Sequence, residues 1–240
     1  MTKVFYSVFD ESMKTLGFKR SGKIYHKMLG NQVVGMLSYR TYSSGHELTI
    51  QFDVIPFCKG CVIKRFMDGS YFLSDVAAGF EPLLIDRIEL SDAFNELLGK
   101  CKDSVFPLFD MVKDYKSYLE FYNKVRRYEE DLSNNDYPYP YSYSLVIPIT
   151  NVLLALGKYD LALLAYEAKV KISENAVESQ SKSLNVAPEH TPAYPSYYER
   201  LDLYNHMKEL VEENDTLAIE MIIKDSEQIS RESYYKYFGK

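Results

Sequence analysis

The chain has 240 residues, 46% of them hydrophobic and 26% charged. This balance excludes a disordered, collagenous or coiled-coil chain and suits a globular protein with a sizeable core. Its 28 Lys+Arg against 34 Asp+Glu give a net charge of −6, the wrong sign for non-specific binding to nucleic acid or an anionic membrane.

At about 150 residues per domain the length predicts one to two domains. The 22 Tyr and 13 Phe stand beside no Trp; tyrosine fills core and surface alike, because its ring buries well while its hydroxyl tolerates water. Three cysteines are an odd number and make no disulfide framework. Asp10 and Glu11 interrupt the start before a secretory apolar stretch can form. The longest apolar run, Leu145 to Leu156, contains Pro148, Thr150 and Asn151 and falls short of the roughly 20 residues that a membrane span needs. The expected compartment is the cytoplasm.

In chain order, Val4, Phe5, Val8, Phe9, Met13 and Leu16 mark one stripe of a helix, which Gly17 ends. Phe18 to Met28 reads as a strand, Leu29-Gly30-Asn31-Gln32 as a turn, and Val33 to Tyr42 as the partner strand. After a turn at Ser43-Ser44-Gly45, Leu48, Ile50, Phe52 and Val54 alternate with Glu47, Thr49, Gln51 and Asp53, the pattern of a half-buried strand. Loops this short require antiparallel neighbours, and the helix stripe is expected to cover the Leu48–Val54 face. Cys61 to Phe66 can add a fourth strand, and Leu84 to Leu90 reads as strand or loop.

From Ser91 the period becomes helical. Ser91 and Asp92 suit an N-terminus; Phe94, Leu97, Leu98, Cys101, Val105, Leu108, Phe109 and Val112 follow, with a break or kink at Pro107. Tyr115 to Asp131 continues as a second amphipathic helix. Ser133 to Tyr143, with Tyr137-Pro138-Tyr139-Pro140-Tyr141, reads as a semi-extended connector. Ile149 to Leu156 and Tyr159 to Ile172 form a helical hairpin around Gly157-Lys158. Its Leu156-Gly157-Lys158-Tyr159-Asp160-Leu161-Ala162 turn resembles that of a tetratricopeptide repeat, but no second copy follows at the ~34-residue period of such arrays. Glu174 to Ala193 is polar and expected to loop out. Ser196-Tyr197-Tyr198-Glu199 has the form of a capping box, and a last helix is expected over Thr216 to Tyr235. The fold class is therefore α+β. Residues 1–90 form an N-terminal helix on a three- to four-stranded antiparallel sheet, and residues 91–240 a helical region packed against it.

Chemical motifs are few. Cys58-Lys59-Gly60-Cys61 offers a redox pair, or half of a zinc knuckle, since structural zinc wants four ligands. The β-rich Val62-Ile63-Lys64-Arg65-Phe66 after it is no helix start, so a turn carrying two thiols is the plainer reading. Cys101 with His26 or His46 completes a metal site only if the fold brings them together. Lys19, Arg20, Lys23 and Lys27 form the densest basic stretch, which an RNA-binding module could use and a solvated strand edge would equally carry. Tyr137, Tyr139, Tyr141, Tyr197 and Tyr198 are candidates for an exposed interaction patch, or else brace the helical hairpin from inside.

Leu16-Gly17-Phe18-Lys19-Arg20-Ser21-Gly22-Lys23-Ile24-Tyr25-His26-Lys27 resembles the opening of the bacterial domain-of-unknown-function family 4304, where a helix ends in Leu-Gly-Phe before a basic, aromatic strand. Leu48 to Val54 is similar to the family's third strand, and Val105-Phe106-Pro107-Leu108-Phe109-Asp110 to a later apolar-Pro-apolar step. The likeness spans residues 4 to 122. Leu37-Ser38-Tyr39-Arg40 stands where the family usually carries a Gln-Ser pair. The resemblance implies a fold and no catalytic residue.

No constellation joins nucleophile, base and oxyanion donor. The leading expectation is a non-enzymatic protein-interaction module without cofactor or metal, of the kind that an immunity protein blocking a toxin would represent. Its partner would be another protein, with no nucleic acid and no membrane. The alternatives are a redox or metal-binding protein using Cys58 and Cys61, and an RNA-binding module using the basic first strand.

Overall fold

The computed structural model describes residues 1–42, 46–60, 71–126 and 146–239. The expected turn at Ser43-Ser44-Gly45, the Cys61–Phe66 strand and the Tyr137–Tyr143 tract lie outside them. The chain divides into two compact units. The first comprises Met1–Phe57, Cys61–Asn134 and Ile229–Lys240; the second comprises Cys58–Gly60 and Asn135–Gln228.

The first unit opens with α1, Thr2–Thr15. Phe5, Phe9 and Met13, four residues apart, are fully buried, and burying each contributes roughly 1.5–3 kcal/mol. Gly17, at φ +80°, reverses the chain. Its N–H donates to the Lys14 carbonyl and that of Phe18 to the Met13 carbonyl, the paired bonds of a Schellman end.

An antiparallel sheet follows: β1 (Lys19–Ser21), β2 (Ile24–Leu29), β3 (Val33–Tyr42), β4 (Glu47–Pro56) and β5 (Tyr71–Phe72) lie in that order, with β6 (Leu83–Leu84) also paired to β4. The single strand expected over Phe18–Met28 is in fact two. Ser21 faces Ile24 across a two-residue turn in which Gly22 has φ +58°, the glycine-first turn whose twist suits a hairpin.

Helices cover one face of the sheet. Tyr25, Leu37, Tyr39, Leu48, Ile50 and Phe52 share it through the strand register. The Phe5 ring sits 5.5 Å from Tyr25, 5.0 Å from Tyr39 and 5.3 Å from Phe94. Phe94 belongs to α2, Leu90–Ser104, which begins just ahead of the expected Ser91. The expected break at Pro107 is present: α2 stops at Ser104, and the proline sits in the first turn of α3, Phe106–Met111, where its missing N–H costs no helical bond. Helix α4, Tyr115–Arg126, buries Tyr118, Leu119, Phe121, Tyr122 and Val125.

The half-buried reading of β4 fails on the other face. Thr49, Gln51 and Asp53 are buried together with Ser38 and His26. Along the same face Ile24, Val34, Met36, Ile55 and Phe57 form a core cluster with Tyr234, from the end of the last helix. Sequence alternation records which residues are polar, not whether a segment remote in the chain returns to cover them.

The second unit is helical. It holds α5 (Val146–Ala155), α6 (Tyr159–Leu184), α7 (Tyr194–Glu212) and the first part of α8 (Thr216–Phe238). α6 packs against both α5 and α7. The expected loop over Glu174–Ala193 is largely helix. Glu, Gln, Lys and Ala hold the helical conformation well, and Ser173 and Val177 extend the buried stripe of α6. The capping box at Ser196 does not form; α7 starts at Tyr194 with Pro195 in its first turn.

The helical turn at Gly157 recurs. Gly157 (φ +67°) donates to the Leu154 carbonyl and Lys158 to that of Leu153; Asn214 (φ +55°) donates to Val211 and Asp215 to Leu210. Each turn is followed two residues on by the next helix, and the fifth residue, Ala162 or Ile219, is buried. The second turn lies 57 residues on (214 − 157), not at the ~34-residue period of a repeat array. The second turn escapes a search for glycine because Asn also adopts the left-handed conformation.

Gly30 gives this fold a test. It sits at φ +66°, and an added Cβ would lie 2.1 Å from the Lys113 carbonyl oxygen. Gly30→Ala is expected to lower stability by at least ~2 kcal/mol in urea denaturation, through strain and a backbone clash. Gly22→Ala, which meets nothing within 4 Å, should cost about 1 kcal/mol.

Candidate functional site

Cys58 lies in a short 3-10 turn, Phe57–Lys59, directly after β4. Its side chain is fully buried. Its carbonyl accepts a hydrogen bond from Asn151 Nδ2 at 2.6 Å, and Asn151 Oδ1 accepts one from the Tyr166 hydroxyl at 3.2 Å. Tyr166 also bonds Thr150, whose Oγ1 accepts a 2.7 Å hydrogen bond from Lys169 Nζ. The Lys169 ammonium stands 4.6 Å from the Tyr166 ring centroid. Burial holds the Lys169 amine down to about 7 and pushes the Tyr166 hydroxyl up to about 12. These groups form one polar network inside the second unit.

The other motif residues have separate surroundings. Cys61 lies outside the described residues. Cys101 is fully buried on α2, and burial raises its thiol pKa, which suppresses the thiolate that redox or metal chemistry needs. His46 is exposed and bonds Asp86, while His26 is buried against Tyr234. Among the described residues no group of three or more His, Cys, Asp or Glu could hold a metal ion.

Internal contacts engage most of the basic stretch. Arg20 pairs with Asp10 at 3.0 Å and stacks 4.0 Å over Tyr6. Lys27 donates to the Leu16 carbonyl at 2.6 Å, and Lys23 approaches the Tyr39 ring. A shallow, open depression on the first unit is lined by Met1 and Ile85–Leu90, with no cluster of reactive groups in it.

The buried side of the sheet carries polar groups that sequence reading passed over. His26 Nδ1 is 3.0 Å from the Tyr234 hydroxyl, and the His26 ring lies 4.4 Å from Phe238. Burial, aided by Lys19, holds the imidazole down to about 4, so it stays neutral at pH 7. The Thr49 hydroxyl, also buried on this face, makes no hydrogen bond among the described residues.

Of the tyrosine candidates, Tyr137, Tyr139 and Tyr141 lie outside the described residues. Tyr197 is half-buried, while Tyr198 is 60% exposed and stacked on Tyr194. Other exposed apolar side chains accompany it: Leu164 and Leu184 on α6, Leu203 on α7, Leu217 and Met221 on α8. Lys169 was legible in principle, because it stands in the inward row Ala162, Tyr166, Lys169, Ser173 and Val177. Comparison of the chain with protein-family models, curated proteins and solved structures gives no match.

His26 makes stability depend on pH. Its folded pKa, about 4, lies below the ordinary 6.5, so between these values the unfolded chain binds a proton that the folded one does not. The contribution is full above pH 6.5 and is lost as pH falls toward 4, by up to about 3 kcal/mol. His26→Phe keeps the ring contacts and should flatten this part of the profile. Urea midpoints at pH 7 and pH 5 check it: equal pH sensitivity in both proteins would contradict the assignment.

Proposed function

We propose that this chain is a non-enzymatic protein-interaction module, acting in the cytoplasm as an immunity-type protein does when it blocks a toxin. The observation that carries the reading is the placing of exposed apolar surface. Leu164, Leu184, Tyr198, Leu203, Leu217 and Met221, all in the second unit, lie open on its helices. Exposed apolar side chains on successive helices are available to a partner, and contiguous sets of them mark binding surfaces. The thiol of Cys58 and the ring of His26 support the same reading, because both are buried away from solvent. The resemblance of residues 4–122 to domain-of-unknown-function family 4304 accompanies the proposal, carried by the Leu16-Gly17-Phe18 helix end and the basic, aromatic strand after it. No helix among the described residues is long and apolar enough to cross a membrane.

The test is site-specific photocrosslinking in the native host, with a photoreactive phenylalanine at position 164, 198, 203 or 217 and at buried Leu97 as control. The expected result is one discrete protein adduct at one or more exposed positions and none at Leu97. Absence of adducts at all four exposed positions would remove the interaction reading.

A further inference from the structure

The exposed residues of α8 sit on its outward side. Ile219 and Ile223 are buried, at 2% and 7% exposure, whereas Leu217 and Met221 are 66% and 57% exposed. A two-residue offset at about 100° per residue puts the two pairs on opposite sides of the helix. On α7, Met207 is buried and Tyr198 exposed. Nine residues, two and a half turns, separate them, so Tyr198 too faces away from the core.

Charge is distributed as unevenly as apolarity. Residues 194–228 hold nine acids (Glu199, Asp202, Glu209, Glu212, Glu213, Asp215, Glu220, Asp225, Glu227) and three bases (Arg200, Lys208, Lys224). Their net charge of −6 equals that of the whole chain. The bases are already engaged: Lys208 pairs with Glu212, Lys224 with Glu220, and Arg200 bonds Ser173. Glu199, Asp202, Glu209, Glu213, Asp215 and Asp225 are exposed and form no ion pair among the described residues.

Extending the interaction reading above, on which this rests, we propose that the outward faces of α7 and α8 dock a basic amphipathic helix of another protein. Acids alone would make a solvated face, and such a face has no use for Leu217 and Met221. The exposed side of a surface helix is ordinarily polar. A second copy of this chain would bring like charges together, and an anionic lipid surface would be repelled. An occupant with apolar residues along one side and lysine or arginine along its flanks satisfies both features of the face.

The probe is a fluorescein-labelled helical peptide of about 18 residues, built from Leu and Lys with leucines at three- and four-residue spacing. Controls are a scrambled peptide of the same composition and a version with Glu replacing Lys. Fluorescence anisotropy at about 0.15 M salt, where surface charges are screened beyond ~8 Å, should show binding of the amphipathic basic peptide only. The Leu217→Ser, Met221→Ser double variant should weaken it at least tenfold with an unchanged circular dichroism spectrum. A separate triple variant, Asp202→Asn, Glu209→Gln and Asp225→Asn, should weaken it and flatten its salt dependence. Equal binding of the scrambled or acidic peptide, or indifference to both sets of substitutions, would overturn the proposal. Crosslinked partners at positions 164 or 203 alongside a negative peptide result would overturn this docking face and leave the broader interaction reading standing.

Discussion

The pairing of β3 with β4 is the constraint around which the first unit is built. Ten residue pairs run without a break from Val33 opposite Pro56 to Tyr42 opposite Glu47. Every residue of β4 after Glu47 is buried, so this ladder is covered on both faces. A buried ladder must satisfy its backbone groups internally, and its neighbours do so on either side: β2 completes β3, while β5 and β6 complete β4. Slipping the register by one residue would exchange Leu48, Ile50 and Phe52 for Thr49, Gln51 and Asp53 against α1. The aromatic set of Phe5, Tyr25, Tyr39 and Phe94 then loses its floor.

The parts of this architecture legible in the sequence are those whose cause is local. The α1 stripe, the Leu29–Gln32 turn and the bounds of β3 follow from periodicity and glycine placement. The errors have non-local or degenerate causes. Thr49, Gln51 and Asp53 alternate as solvent-facing residues do, and only the structure shows that face closed. Gly22 inside an apparently continuous strand gave too little weight to a tight turn. Asn214 performs the work of Gly157 with a different side chain. Polarity after Ile172 suggested a loop, although the residues present are good helix formers with an inward row at Ser173 and Val177.

The candidate functional groups were less visible. A lysine in a helical stripe is ordinarily assigned to the solvated side, yet Lys169 lies in line with Tyr166 and Ser173 and gives a hydrogen bond to Thr150. His26 looked like a sheet residue, which it is, but its partner is 208 positions away. Pattern reading has no access to such a pairing. The Cys58–Cys61 spacing was legible at once, and the full burial of Cys58 turns attention from its sulfur to its carbonyl, which anchors Asn151.

The first unit is discontinuous, with residues Ile229–Lys240 returning to a core begun by Met1–Phe57. Synthesis on the ribosome is vectorial, so this has an order in time. The face that α1 covers can assemble early, because its parts are close in sequence. The opposite face waits for Tyr234 and Phe238, which emerge long after every described strand has been made. Until then Ile24, Val34, Met36 and Ile55 lie on an uncapped sheet, the kind of surface that chaperones bind. Closing so long a loop slows folding far more than it weakens the finished core. A ribosome that stalls anywhere between β6 and Tyr234 would therefore hold a chain with every described strand made and one side of its sheet open.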